Sequence, residues 1–337
     1  MTAPAAGRFT GCLIGQCLGD AYGFVMEGHG LQDCRPYADQ VVRARKTYDL
    51  GCGSFPFGQY TDDSQLAREL ILSLVHCRRL DLEDFAFRFS ALFAENRVVG
   101  RGLASDAVAR RLSEGVPWHE AAAAEGSAGN GTAMRAAPIG LFCWERPQEL
   151  VQLAHDQGRV THLDQRCSAG SIAIAAAVAF ALRDSPLRPD EFACEVAALA
   201  EPFDPLLSEA LRQMPRWLAM APLGAAREIS RVGVPPGFED AWQLISPFVT
   251  PSTLWSIYSF LHSPDDYMET IATAIEAGGD VDSTAAMAGA ISGAFLGIGA
   301  IPAELARLVN DRGTWRYDEL VTLSERLHAT VVRDSAA

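Results

Sequence analysis

Four glycines, Gly11, Gly15, Gly19 and Gly23, recur at every fourth position near the start of this 337-residue chain. That step places all four on one face of a helix. Glycine inside a helix costs up to about 1 kcal/mol relative to alanine, so a stripe of four needs a compensating contact. A second backbone, approaching too closely for any side chain to intervene, would supply it. Another stripe, Gly289, Gly293 and Gly297, stands near the opposite end of the chain. The two stripes are expected to pack against each other, which joins the two ends of the sequence in one core.

The rest of the pattern is also helical. Leu66, Leu70 and Leu74 recur at i, i+4 and i+8, the period of an amphipathic helix. Further helices are expected over 84–95, 104–114, 167–182, 252–262 and 265–277, with a break at Ser263-Pro264. Residues 28–60 hold Gly, Pro and aromatic residues without periodicity and read as a long loop, a class that tends to be functional or disordered. Alternating β-branched residues occur only as fragments near 40–48. The fold class is all-α: one domain spanning 1–337, with its core over about 8–300.

Composition narrows the function classes. Apolar residues make up 49% of the chain and charged residues 21%, with 28 Lys+Arg against 42 Asp+Glu and a net charge of −14. No Lys/Arg block exists to neutralise phosphates, so direct nucleic-acid binding is not expected. The uncharged runs 167–182 and 283–303 are rich in Ala, Gly and Ser and read as buried helices, not membrane spans. The eight cysteines, at 12, 17, 34, 52, 77, 143, 167 and 194, form no CxxC pair and no zinc spacing. With no basic stretch leading into an apolar one over residues 1–8, a reduced, cytoplasmic protein is expected.

Chemistry concentrates in two acidic clusters. Gly278-Gly279-Asp280-Val281-Asp282-Ser283-Thr284 runs into the Ala/Gly-rich second stripe, and Thr61-Asp62-Asp63-Ser64 opens the Leu66 helix. Ser, Thr and Asp are preferred helix caps, and capping is the ordinary explanation for either cluster alone. If the two meet in space, four carboxylates share one small site. At about 5 Å and an effective dielectric of about 20, each like-charge pair repels by roughly 3 kcal/mol. Such a group needs cations or must partly protonate. All-oxygen ligands select hard cations such as Mg²⁺ or Mn²⁺. Asp20, inside the first glycine helix, reads as a buried hydrogen-bonded structural residue, and Glu27, just past that helix, would overlook the site. A second glycine-rich loop, Gly129-Asn130-Gly131-Thr132-Ala133-Met134-Arg135, offers N–H groups and Arg135 to an anion, although turn preference alone also explains its composition. His162 is by default a structural hydrogen-bonder.

Taken in order, these segments resemble the ADP-ribosylglycohydrolase family, which includes the dinitrogenase reductase-activating glycohydrolases. The resemblance runs over about residues 8–300 and rests on Gly19-Asp20-Ala21-Tyr22-Gly23 with Glu27, Thr61-Asp62-Asp63-Ser64, Gly100-Arg101-Gly102, the 129–138 loop, Thr161-His162 and the 278–284 motif. It implies a compact all-α fold with two Mg²⁺ or Mn²⁺ ions in a central cleft. The implied metal ligands are Thr61, Asp62, Asp63, Asp280, Asp282 and Ser283. The implied ADP-ribose contacts are Gly100, Gly102, Gly129, Asn130, Gly131, Ala133, Met134 and His162. Glu27 matches the acidic residue near the scissile bond, and Asp63 or Asp282 would serve as base. Two segments depart from the family pattern: Val99 stands where an aromatic often precedes the glycine turn, and 251–258 replaces an acidic, Ala-rich helix.

The implied activity is hydrolytic removal of ADP-ribose from modified protein side chains, arginine-linked first and serine-linked as the rival. Two other functions fit an all-α acidic site. One is a non-catalytic ADP-ribose-binding or structural relative; the other is a Mg²⁺-dependent enzyme that cleaves pyrophosphates.

Overall fold

The computed structural model describes residues 3–48, 55–122, 128–183, 186–235, 242 and 244–334. Residues 49–54 of the 28–60 segment, Cys52 among them, lie outside the described residues. All extended regular structure among the described residues is helical, and pairing between extended segments is confined to isolated bridges.

The glycine stripes meet as expected. Helix α1 (Ala6–Phe24) packs along the helix Val281–Leu296 with both buried nearly all round. A Cβ on Gly11 would lie 2.3 Å from the Gly293 carbonyl, on Gly15 2.5 Å from that of Gly289, and on Gly19 2.2 Å from that of Ala285. These are backbone–backbone contacts that no side chain can enter. At the last rung, a Cβ on Gly23 would stand 2.4 Å from Cα of Asp282. The end of α1 is therefore pressed against the first turn of the Val281 helix. Arg8, at the other end, donates to the carbonyls of Ala294, Ala181 and Leu182. It closes the C-terminal turns of two helices whose last carbonyls have no partner within the helix.

Around this pair stand Gln165–Ala181, Val249–His262 and Tyr267–Glu276, each largely buried. The Ala-rich helix Gln165–Ala181 shows no solvent face over residues 167–181, the reason it carries no charge there. No helix among the described residues is long and apolar enough to cross a membrane.

Over residues 31–42 the expected 28–60 loop is helical. A helix α2 (Leu31–Tyr37) continues into a wider π-helical turn, Ala38–Val42. The helix is short and contains Pro36, so it shows too few turns to register as a period. It is held by tertiary contacts: the Tyr37 hydroxyl donates to the Tyr22 carbonyl, and Arg43 pairs with Glu269 and Glu276. Past residue 300, Leu305, Val309, Leu320, Leu323, Leu327 and Val331 are buried and join the same core.

Candidate active site

Helix α3 (Asp62–Cys77) begins with both carboxylates of the first motif. Its N-cap, Thr61, makes no side-chain cap bond. Asp20 of α1 does that work from outside. One of its carboxylate oxygens accepts from the Thr61 N–H and hydroxyl, both at 2.9 Å, and the other from the Ser64 N–H at 3.1 Å and hydroxyl at 2.6 Å. The second motif behaves alike, since Asp280 sits at the N-cap of Val281–Leu296 and caps nothing with its side chain. The capping explanation fails for Asp62, Asp63 and Asp280, and their carboxylates are left for other work.

The two motifs meet through α1 and through the loop after it. Gly278 and Gly279 have φ of +77° and +94°, a region open to glycine, and a Cβ on Gly279 would fall 1.9 Å from the Ile245 carbonyl. The Gly28 N–H donates to the Gly279 carbonyl and the Gly279 N–H to the His29 carbonyl, at 2.8 and 2.9 Å. This pairing sets Glu27 over the second motif. Carboxylate oxygens of Glu27, Asp280 and Asp282 lie within 4.8 Å of one another.

The electrostatics are one-sided. Asp20, Asp62, Asp63, Asp280 and Asp282 are each no more than 6% exposed. Among the described residues no Arg or Lys is ion-paired with any of them or with Glu27. Loss of water, with the neighbouring carboxylates adding, pushes Asp63 up to about 8 and Asp280 up to about 7, and Asp62 and Asp282 well above the usual range. Burial likewise raises Asp20 to about 7, against the pull of its four hydrogen bonds, and raises Glu27. Asp63 Oδ1 is buried with no hydrogen-bond partner. An orphaned carboxylate oxygen beside three further carboxylates with no ion-pair partner among the described residues suits a hard cation.

The carboxylates floor a cavity of about 480 Å³. Gly100 and Gly102 form one wall, with a Cβ on Gly100 placed 3.2 Å from Asp62 Oδ1. Gly129, Asn130, Gly131 and Met134 form another, drawn in because the Asn130 N–H donates to the Pro247 carbonyl at 2.9 Å. Asn130 also donates through its side chain to Asp280, with the Ser252 hydroxyl beside it. His162 closes the wall; its Nδ1 lies 2.8 Å from the Thr161 hydroxyl, which accepts from Arg135 at 2.8 Å. The same hydroxyl lies 3.4 Å from the Gly158 carbonyl, to which it donates. Burial and the Arg135 charge pull His162 down to about 4, so the ring is neutral near pH 7.

The sequence profile of the ADP-ribosylglycohydrolase family matches residues 1–336. The chain belongs to the ADP-ribosylglycohydrolase family. Membership makes it a hydrolase of glycosyl bonds. It is 30% identical to the ADP-ribosylhydrolase ARH3 of Xenopus tropicalis, over 90% of this chain and 91% of that one. It is 26% identical to the ADP-ribosyl-[dinitrogen reductase] glycohydrolase of Rhodospirillum rubrum, over 90% of each. A solved ADP-ribosylglycohydrolase-related protein complex superposes with a TM-score of 0.70 at 26% identity, covering 97% of this chain and 98% of that one.

Within this family member the expected site residues do not all reach the cavity. Glu27, Asp62, Asp63, Asp280, Asp282, Ser283, Gly100, Gly102, Gly129, Asn130, Gly131, Met134 and His162 line it. Ala133 does not; it is fully buried behind the loop, where its methyl faces Gly170. Thr61 lies behind Asp62, its hydroxyl held by Asp20. Arg135, expected to meet an anion, is fully buried and spends its guanidinium on Gln157, Thr161 and the Gly131 carbonyl. It shapes the loop from beneath. Sequence reasoning missed Ser105 and Pro247 in the lining and Ser252 beside Asp280. Ser105 and Pro247 stand in no motif, and Ser252 was marked only as part of the 251–258 segment that departs from the family pattern.

Proposed function

We propose that the chain hydrolyses the glycosidic bond between ADP-ribose and a modified protein side chain, using two hard divalent cations, Mg²⁺ or Mn²⁺, with arginine-linked ADP-ribose as the preferred substrate. The observation that carries this reading is the set of desolvated carboxylates, none ion-paired among the described residues, at the floor of a cavity walled by glycine loops.

Asp62, Asp63, Asp280, Asp282 and Ser283 would hold the cations, with Thr61 supporting from behind. When bound, the cations would supply Lewis acidity and a bound water made acidic enough to attack at neutral pH. Asp63 or Asp282 would take the proton from the attacking water. The oxygen bonds to the anomeric carbon as the bond to the side-chain atom breaks, and the leaving group picks up a proton. Glu27, overlooking the second motif with its carboxyl raised by burial, positions or protonates that leaving group. The backbone of 100–102 and 129–131 and the ring of His162 bind the phosphates and ribose. The buried, unpartnered carboxylate oxygen counts against a purely structural relative, because an uncompensated buried charge lowers stability and adds nothing to a scaffold.

The arginine preference is supported by the acidic cleft mouth at Glu27 and the net charge of −14, both of which favour a guanidinium over a neutral hydroxyl. Matched arginine- and serine-modified peptides in competition test it. Faster release from arginine is expected; release from serine faster by about tenfold, roughly 1.4 kcal/mol in the barrier, would reverse the assignment. We place the reaction in a reducing cytoplasm, in keeping with seven free cysteines among the described residues.

A further inference from the structure

The 96–102 segment carries Gly100 and Gly102 to the cavity and is neither helix nor strand. Its position is set by two groups remote from it in sequence. Gln65, fully buried one turn into α3, accepts from the Val99 N–H at 3.0 Å and donates to the Arg97 carbonyl at 3.0 Å. The same amide donates to Asp311 at 2.8 Å. From the outer side, Arg312 donates to the carbonyls of Asn96 at 2.7 Å and Val98 at 3.5 Å. Meanwhile Asp62, itself at the site, donates its N–H to the Val99 carbonyl at 2.7 Å. The segment is thus gripped by α3 on one side and by residues 311–312 on the other.

Residues 308–315 are in turn anchored where the grip needs them. Asn310 and Gln59 form a parallel bridge, and a Cβ on Gly58 would lie 1.9 Å from the Leu308 carbonyl. The Arg312 N–H donates to the Gln59 side chain at 2.8 Å, and Asp311 takes a 2.7 Å ion pair from Arg68. Asn96, Arg312 and Trp315 have φ of +53°, +49° and +44°, three of the six non-glycine residues in the left-handed region among those described. Strained backbone persists where the surroundings over-determine it. Here two of the three, Asn96 and Arg312, meet through one hydrogen bond, which marks a segment held in a set conformation.

The geometry points to Gln65 and Arg312 as positioning residues for substrate: together with Asp311 they clamp residues 96–99 so that the 100–102 turn presents its backbone to ADP-ribose at a fixed height over Asp62. The inference rests on the reading of that turn as a substrate contact. It assigns a binding role to a C-terminal stretch whose own residues do not line the cavity. Neither clamp residue is a catalytic residue, because neither touches the reacting atoms.

The test uses the full chain with Mn²⁺ and reads ADP-ribose affinity, KM, kcat and Mn²⁺ affinity for Arg312→Ala, Arg312→Lys and Gln65→Met. Arg312 is exposed, so Arg312→Ala folds even if Gln65→Met does not. Arg312→Ala is expected to weaken ADP-ribose binding and raise KM by about tenfold, with kcat changed less than about twofold and Mn²⁺ affinity kept; one tenfold step in binding is the scale of a lost polar contact. Arg312→Lys, able to reach one carbonyl, should recover part of the loss. Gly102→Leu probes the underlying reading. Its backbone, at φ −66°, accepts any residue, and a Cβ there meets nothing nearer than 3.8 Å. Loss of ADP-ribose binding in Gly102→Leu with none in the clamp variants overturns the clamp alone. Unchanged binding in all of them overturns the substrate reading of the turn and the clamp with it. A parallel fall in Mn²⁺ affinity in Arg312→Ala would show general collapse of the site and also overturn the clamp.

Discussion

Two groups of buried charge lie within two turns of each other on α3, and they are built in opposite ways. Arg68, Glu69 and Asp311 form a closed set. The Arg68 guanidinium meets Glu69 at 2.9 Å and Asp311 at 2.7 Å, donates to the Tyr60 hydroxyl and lies over the Trp315 ring. Asp62 and Asp63, at the start of the same helix, line one cavity with Asp280, Asp282 and Glu27, and among the described residues none of these is ion-paired; Arg101, in the same lining, is paired with Asp106. The first group is complete within the protein. In the second, no Arg or Lys is ion-paired with the carboxylates among the described residues. Burial alone therefore does not distinguish a structural charge from a functional one; the presence of a partner does.

Three substitutions and conditions sharpen that contrast, in falling order of effect. Asp282→Ala should reduce ADP-ribose release by about 10⁴-fold or more, roughly 5.5 kcal/mol in the barrier. The cation-free variant should melt no lower than the parent, because a repulsion is relieved. A melting temperature far below the parent would place Asp282 with the structural group instead. Arg68→Met should do the reverse, costing about 4 kcal/mol of folding stability by stranding Glu69 and Asp311 while the folded fraction keeps its Mn²⁺ affinity. Denaturant unfolding with a Mn²⁺ titration checks both halves.

The smallest effect is on pH. Asp20, Asp63 and Asp280 have folded-state values of about 7, 8 and 7, above those of an unfolded chain near 4. The folded protein without cations then binds more protons than the unfolded one, so this contribution to stability is present below pH 4 and is lost as pH rises through 7 to 8. Melting curves in EDTA should fall between pH 5 and 8. Cations at 100 times Kd should restore about 2.7 kcal/mol, and at one fixed cation concentration the restoration should grow over the same range, because Kd falls as the carboxylates ionise.

Much of the site was legible because its carboxylates are local in sequence. Asp62 with Asp63, and Asp280 with Asp282, are neighbours whatever the fold, and the glycine stripes at a four-residue step required a helix partner. What stayed hidden depends on contacts between distant segments. Nothing near Asn130 signals that its amide holds Asp280, and nothing near Gln65 signals the 97–99 backbone. Arg135 shows the limit from the other side. An arginine in a glycine loop reads as an anion ligand, but only the fold reveals Gln157 and Thr161 waiting beneath it. Helix α2 was missed for a related reason: seven residues with an internal proline carry no period, and packing against Tyr22 and the Tyr267 helix sets its conformation.

The most direct test of the central claim follows the products formed from an ADP-ribosylated protein by the full chain with Mg²⁺ or Mn²⁺, in EDTA, and after cation is restored. Free ADP-ribose should appear with cation, stop in EDTA and resume on restoration. Release of AMP, or release of ADP-ribose at an undiminished rate in EDTA, would contradict the account.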